Sequence, residues 1–167
     1  MRAGPGIRCA GLRDRECVLA LWLALIDHHR RLDLDYPELP GISSALEREV
    51  EQALVGPACR IYLAEIEGAA VGFVSAEIAA DGDGPGALGT IHELYVVPER
   101  RGAGIGRALV AAADAWFSAG AVARRRVRVE VSNPAALRFW RTVGYRDAPA
   151  SSETSAEPRA RILLRRP

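Results

Sequence analysis

The residues from Val97 to Leu109, VPERRGAGIGRAL, set glycines at positions 102, 104 and 106 between an extended apolar run and an apolar run of helical spacing. Glycine lets a backbone approach a ligand closely because no Cβ intervenes. The first turn of the following helix offers N–H groups without intrahelical partners and the positive end of the helix dipole. Together these make a site for a phosphate or pyrophosphate, with Arg100, Arg101 and Arg107 adding charge nearby. A nucleotide P-loop needs a Gly-Lys pair, and the chain has no lysine. A dinucleotide fingerprint needs GxGxxG or GxGxxA, but counting from Gly102 reaches Arg107, and from Gly104 it reaches Leu109. The pattern that fits is RxxGxG, with Arg101, Gly104 and Gly106. The alternative is a glycine-rich turn that serves only close helix packing.

Elements that position this loop follow from periodicity. Ile7–Ala10 is a weak first strand, and Asp14 is placed to cap a helix through Leu32, with Val18, Leu21, Trp22, Leu25 and Ile26 on one stripe. Asp33–Gly41 reads as a loop. A second helix is expected from Ser43 or Ser44 through Val55, with Ser44 and Glu47 spaced as a capping box. Arg60–Glu65 and Ala70–Ile78 form a hairpin about Glu67-Gly68, and Leu88–Val97 is a strand stopped by Pro98. A helix over Gly104–Ala119, a strand over Val127–Val131, a helix opened by Asn133-Pro134 and ended at Gly144, a polar loop over Ser151–Pro158 and a strand over Ala160–Leu164 complete the order. The strand–helix–strand unit from Leu88 to Val131 demands a right-handed parallel crossover, whereas the three preceding strands are antiparallel. The fold class is therefore α/β (α+β): one domain over 1–167, with a mixed, mostly antiparallel sheet of six to seven strands and about four flanking helices.

Basic and acidic residues number 22 and 21, a net charge of +1, which argues against broad capture of nucleic acid. The longest apolar run, Cys17–Ile26, is too short to span a bilayer, and the first residues lack the apolar core of a signal peptide. A cytoplasmic location without membrane attachment is expected. Cys9, Cys17 and Cys59 show no ligand spacing, so they read as free thiols, and no metal is expected. His28-His29 read as solvated residues, and Arg124-Arg125-Arg126 as a solvated loop or a contact for a cofactor phosphate.

The run Ile91–Pro98, IHELYVVP, followed by RxxGxG-Arg-Ala-Leu, resembles the central motif of the GNAT superfamily, the acetyl-CoA-dependent N-acetyltransferases. Asn133–Tyr145, NPAALRFWRTVGY, is similar to that family's N-x-x-A-x-x-x-Y-x-x-x-G-[FY]. Either motif is moderately specific; the pair, covering about a third of the chain, is strong. The resemblance implies acetyl-CoA, and no metal, held between two splayed parallel strands, Leu88–Val97 and Val127–Val131. It assigns the cofactor to Leu94, Tyr95, Val96 and Val97 for the pantetheine arm, to Arg101, Gly102, Ala103, Gly104, Ile105, Gly106 and Arg107 for the pyrophosphate, and to Asn133. It also implies a strand bulge and a homodimer.

The implied chemistry is direct attack of an amine on the thioester in a ternary complex. An ammonium of pKa ~10 has little free nucleophile at neutral pH, so a base is useful. Glu93 is the first candidate for base or amine anchor; His92 points to the opposite face of a regular strand, although a bulge would exchange their facing. Trp140 stands where the family has a tyrosine acid, and indole does not titrate; Tyr145, Tyr95 or a water are the candidate replacements, Tyr145 first, and the alternative is a thiolate that leaves unassisted. Substrate contacts are expected from the first two helices and from the loops Asp33–Gly41 and Ser151–Pro158. Asp27, Asp33, Asp35, Glu38 and Glu47 suggest a small cationic amine. Competing functions are a catalytically silent acyl-CoA-binding regulatory domain and a protein N-terminal or lysine acetyltransferase.

Overall fold

A computed structural model describes residues 4–34, 36, 42–82, 86–148 and 160–165. Seven strands form one sheet: β1 (Gly6–Cys9), β2 (Cys59–Ile66), β3 (Ala69–Ala80), β4 (Ala87–Val96), β5 (Arg124–Glu130), β6 (Arg146–Asp147) and β7 (Ala160–Arg165). Their spatial order is β1-β2-β3-β4-β5-β7-β6. Every pairing is antiparallel except β4 with β5. Helices are α1 (Arg15–Leu32), α2 (Ile42–Val55), α3 (Ile105–Ala119), which makes the parallel crossover, and α4 (Pro134–Thr142). A mixed sheet with four helices is the expected class.

The alternation of β3 divides the interior in two. Phe73 points toward α1 and α2, where Val18, Trp22, Leu25, Leu46, Val50 and Tyr95 bury it. Val74 and Ala76 face α3 and α4, among Ile91, Leu109, Phe117, Val127, Trp140, Tyr145 and Leu163. Each large apolar side chain taken out of water contributes about 1.5–3 kcal/mol. Gly89 is required at this contact, since a Cβ there would stand 2.8 Å from Phe117 Cδ1. The β2–β3 hairpin turns at Glu67 and Gly68 with φ of 52° and 79°, the left-handed pair of a two-residue hairpin.

Polar clamps fix the edges. Arg8 donates to both Asp14 oxygens, at 2.9 and 2.7 Å, and to Glu65. That chelation holds the Asp14 carboxyl down at about 2. Asp14 sits at the start of α1 as expected, but it accepts from the N–H of Gly11 and from Arg8 rather than from the helix. On the other side Asp114 of α3 accepts from Arg125 at 3.0 Å and Arg165 at 2.6 Å, and Arg125 also reaches Ser118 at 2.7 Å.

Three expectations change. Helix α2 begins at Ile42, so Ser44 lies inside it rather than ahead of its first turn, and Glu47 approaches Arg15 at 3.7 Å. Strand β5 begins at Arg124, three residues early, so the arginine triplet is strand rather than loop. Arg124 pairs with buried Asp81 at 2.7 Å and Arg125 with Asp114. The polar loop Ser151–Pro158 lies outside the described residues, as does most of Asp33–Gly41.

Candidate active site

Strands β4 and β5 are registered from Leu88↔Arg124 to Ile91↔Val127, and no farther. Strand β4 continues to Val96 and β5 to Glu130, so beyond Ile91 the two diverge and leave backbone groups of β4 unpaired on that side. The N–H of Val97 donates to Val71 at 2.9 Å. Because successive residues alternate direction, the backbone groups of Tyr95 also face β3, while those of Leu94 and Val96 face the opening. Of the four residues expected at the pantetheine arm, Val97 and Tyr95 thus turn their amides to the sheet, while Leu94 and Val96 turn their backbone groups to the opening. Tyr95 contributes its ring instead, which lies 5.6 Å from the Arg101 guanidinium. Arg101 Nε also donates to the Val96 carbonyl at 2.9 Å.

At the wide end of this wedge lies the glycine loop. Gly102 and Gly104 adopt φ of 79° and 80°, and nothing lies within 4 Å of where their Cβ atoms would stand. The loop is therefore glycine-rich to obtain left-handed turns and an open cradle, not for close packing. Gly104 precedes the first residue of α3, so the N–H groups of that helix's first turn end in the cradle. Gly106 sits on α3, where a Cβ would come within 3.3 Å of Phe139. These features fit a pyrophosphate, and the groove between the splayed strands fits the extended arm of an acyl-CoA. A cavity of about 830 Å³ joins the two and is lined by Leu94, Val96, Arg101, Gly102, Gly104, Ile105, Gly106, Arg107 and Asn133 among others. Ala103 does not line it. Asn133 caps α4, its Oδ1 accepting from the Ala136 N–H at 2.9 Å, and faces the cavity as well.

The cavity continues on the α1 side of the sheet. Between Ser75↔Glu93 and Ala76↔Ile91 the register slips, which makes His92 an extra residue in β4. The bulge turns Ile91 toward α3, alongside Leu94, and brings both His92 and Glu93 to the cavity. The opposite facing expected of a regular strand is thus not what forms. His92 pairs with Glu77 at 2.9 Å. Burial pushes the Glu93 carboxyl up to about 8, Glu49 and Glu130 add to the rise, and Arg128 opposes it. Arg128 and Glu130 pair with each other.

Several wall residues were not marked by the sequence pattern. His28 and His29, read as solvated, line the cavity from the end of α1, and burial lowers the affinity of both for a proton. His29 stacks on Tyr36 with centroids 5.4 Å apart. Glu49, Arg126, Arg128 and Glu130 complete that side. Their only signal is position at an element's end or on one face of β5, which the fold alone reveals. Conversely, Asp27 pairs with Arg31 and Glu47 with Arg15, and neither these nor Asp33 faces the cavity; Asp35 and Glu38 lie outside the described residues.

Trp140 lines the cavity and meets the Tyr145 ring edge-on at 5.1 Å. Tyr145 lies behind it, fully buried, off the cavity, and its hydroxyl has no protein hydrogen-bond partner among the described residues. Burial drives that hydroxyl well above the ordinary tyrosine range. Tyr145, the expected acid, therefore lies behind Trp140 and does not open on the cavity. Among the described residues no cluster of metal-ligating side chains occurs, and no helix is long and apolar enough to cross a membrane.

Comparison with known proteins agrees with this geometry. Residues 22–145 match the model of the acetyltransferase (GNAT) family. A mycothiol acetyltransferase from Thermobispora bispora is 35% identical over 137 residues; the match covers 80% of this chain and 43% of that protein, so the chain spans less than half the length of this curated relative. Among solved structures, the PaiA N-acetyltransferase of Thermoplasma acidophilum in complex with coenzyme A superposes over 99% of this chain and 100% of its own at a TM-score of 0.74, with 14% identity. A GNAT-family acetyltransferase of Staphylococcus aureus superposes over 97% of this chain and 98% of its own at 0.77, with 13% identity. Glycine cradle, splayed parallel strands, bulge and family match converge: the chain belongs to the acetyltransferase (GNAT) family, whose acyl donor is acetyl-CoA.

Proposed function

We propose that this protein is an N-acetyltransferase that moves the acetyl group of acetyl-CoA to a primary amine of a small molecule, by direct attack in a ternary complex. The observation that carries the reading is Glu93, a carboxylate raised to about 8 on the cavity wall, directly after the β4 bulge and before the cofactor-facing backbone of Leu94 and Val96. The cofactor supplies an activated thioester. Leu94 and Val96 offer backbone groups to its arm, and the cradle from Arg101 to Arg107, without Ala103, receives its pyrophosphate. Glu93 takes a proton from the incoming ammonium. With the carboxyl near 8 and the amine near ~10, that transfer is uphill by only about two pK units, so a useful fraction of amine is freed.

No tyrosine is needed to protonate the departing thiolate, because a thiol of pKa ~8.5 leaves as a moderately stable anion near neutral pH. Glu49, Glu93 and Glu130 on the acceptor side favour an ammonium. The names of the mycothiol and aminoglycoside acetyltransferases among the similar proteins agree with a small-molecule acceptor. The single-domain organisation, a homodimer and a cytoplasmic location belong to the same proposal.

A second reading, a silent acyl-CoA-binding domain, draws on Trp140 at the tyrosine position. Thiol release from acetyl-CoA across aminosugars, polyamines, amino acids and a peptide amine separates the readings. Turnover on a small amine supports the first. Cofactor binding with no turnover on any of them supports the second, and turnover confined to the peptide would reassign the acceptor.

A further inference from the structure

On and around the acceptor side of the cavity several charged groups are already engaged. Glu77 is held by His92 at 2.9 Å, and Arg128 and Glu130 hold each other. On the same strand, Arg124 is bound to Asp81 and Arg125 to Asp114. Arg126 differs. It lines the cavity half-buried, and among the described residues its side chain makes one hydrogen bond, to the Thr90 hydroxyl at 3.4 Å. Thr90 and Arg126 are register partners at the closed base of the wedge, with Glu77 paired to Thr90 on the far side. The Glu77 carboxylate is held by the bulge histidine, and the Arg126 guanidinium faces the cavity.

We infer that Arg126 is a specificity-determining residue that binds a carboxylate on the acceptor, at the end remote from the amine. This deepens the acetyltransferase reading and rests on it. Glu93 and Thr90 are opposite Ser75 and Glu77, two residues apart on β3, or roughly 7 Å, and β5 lies about 4.8 Å to the side. The amine end and the anion end of the acceptor site are thus separated by roughly 8 Å at the backbone, a span that fits an amino acid or a short amino-acid conjugate. A planar guanidinium beside a neutral hydroxyl matches one carboxylate through paired N–H donors.

The test uses ω-amino acids with two to five methylenes, the primary amide of each, and 3-aminopropylphosphonate. Equilibrium binding in the presence of coenzyme A and thiol release from acetyl-CoA are both read, for the native protein and for Arg126→Gln. We expect at least one acid to bind tenfold or more tighter than its amide. In Arg126→Gln that preference disappears, through KM rather than kcat. Equal binding of acids and amides, a preference that survives in Arg126→Gln, binding of the phosphonate alone, or no binding by any probe would each overturn the assignment. A separate titration with acetyl-CoA fails only if the underlying acetyltransferase reading fails, and the acid–amide comparison is still decided by binding.

Discussion

Glu93→Gln removes an ionisable group while keeping its shape, and two effects of opposite benefit follow from one cause. The carboxyl is held near 8 instead of its usual 4.5, mainly by burial, so the folded protein retains a proton that the unfolded chain gives up. A group with a raised folded pKa contributes full stability below the unfolded value and loses it as pH climbs through the folded value. Between pH 4.5 and 8 the native protein should therefore lose stability from this site, by up to a few kcal/mol at ~1.4 kcal/mol per pK unit. The glutamine variant has no such loss. Urea unfolding at pH 4, below the unfolded value, should find the two proteins similar, and at pH 9 the variant should be the more stable. Activity should move the other way. The deprotonated base rises about tenfold from pH 7 to pH 9, so turnover in the native enzyme climbs and levels above about 8. In Glu93→Gln it should fall by about 10²–10⁴ and lose that inflection. An unchanged pH profile in the variant, or a variant less stable than native at pH 9, would refute the reasoning.

Other consequences can be read directly. Tyr145→Phe removes a buried hydroxyl that has no protein partner among the described residues, so melting should be unchanged or higher, and kcat should hold; a tenfold loss of kcat in a stable variant would return the acid role to Tyr145. Asp114→Ala leaves Arg125 buried beside α3 without its carboxylate and frees Arg165 on β7, so denaturant unfolding should show a loss of about 3–5 kcal/mol. A loss below about 1 kcal/mol would mean that the cluster is more solvated than its burial indicates.

The glycine cradle was legible in the sequence because it is a requirement on the backbone. Left-handed φ at Gly102 and Gly104 and a helix start at Ile105 impose residue types that remain visible in order and spacing. The hairpin at Glu67-Gly68 and the Asn133 cap were readable for the same reason. The acceptor wall was not. His29 and Arg126 owe their place to helix packing and sheet register, which no local pattern encodes. The facing of Ile91, His92 and Glu93 depends on one bulge, and a slip of one residue exchanges the two sides of a strand. The burial of Tyr145 was not legible either, because its motif position says nothing about Trp140 packing in front of it. Asp27 of α1 and Glu47 of α2 looked like part of a substrate front but pair with Arg31 and Arg15.

The most direct test of the central claim is thermal unfolding with and without acetyl-CoA, for the native chain and for Gly104→Asp. Aspartate tolerates the left-handed φ of 80° better than most residues, so this variant should fold with a modest loss of about 1–2 kcal/mol while setting a carboxylate where the pyrophosphate binds. At about 100 times its dissociation constant the cofactor should stabilise the native protein by about 2.7 kcal/mol. The account predicts that stabilisation in the native chain and its loss in a folded Gly104→Asp. No stabilisation of the native chain, or an equal one in the variant, would contradict it.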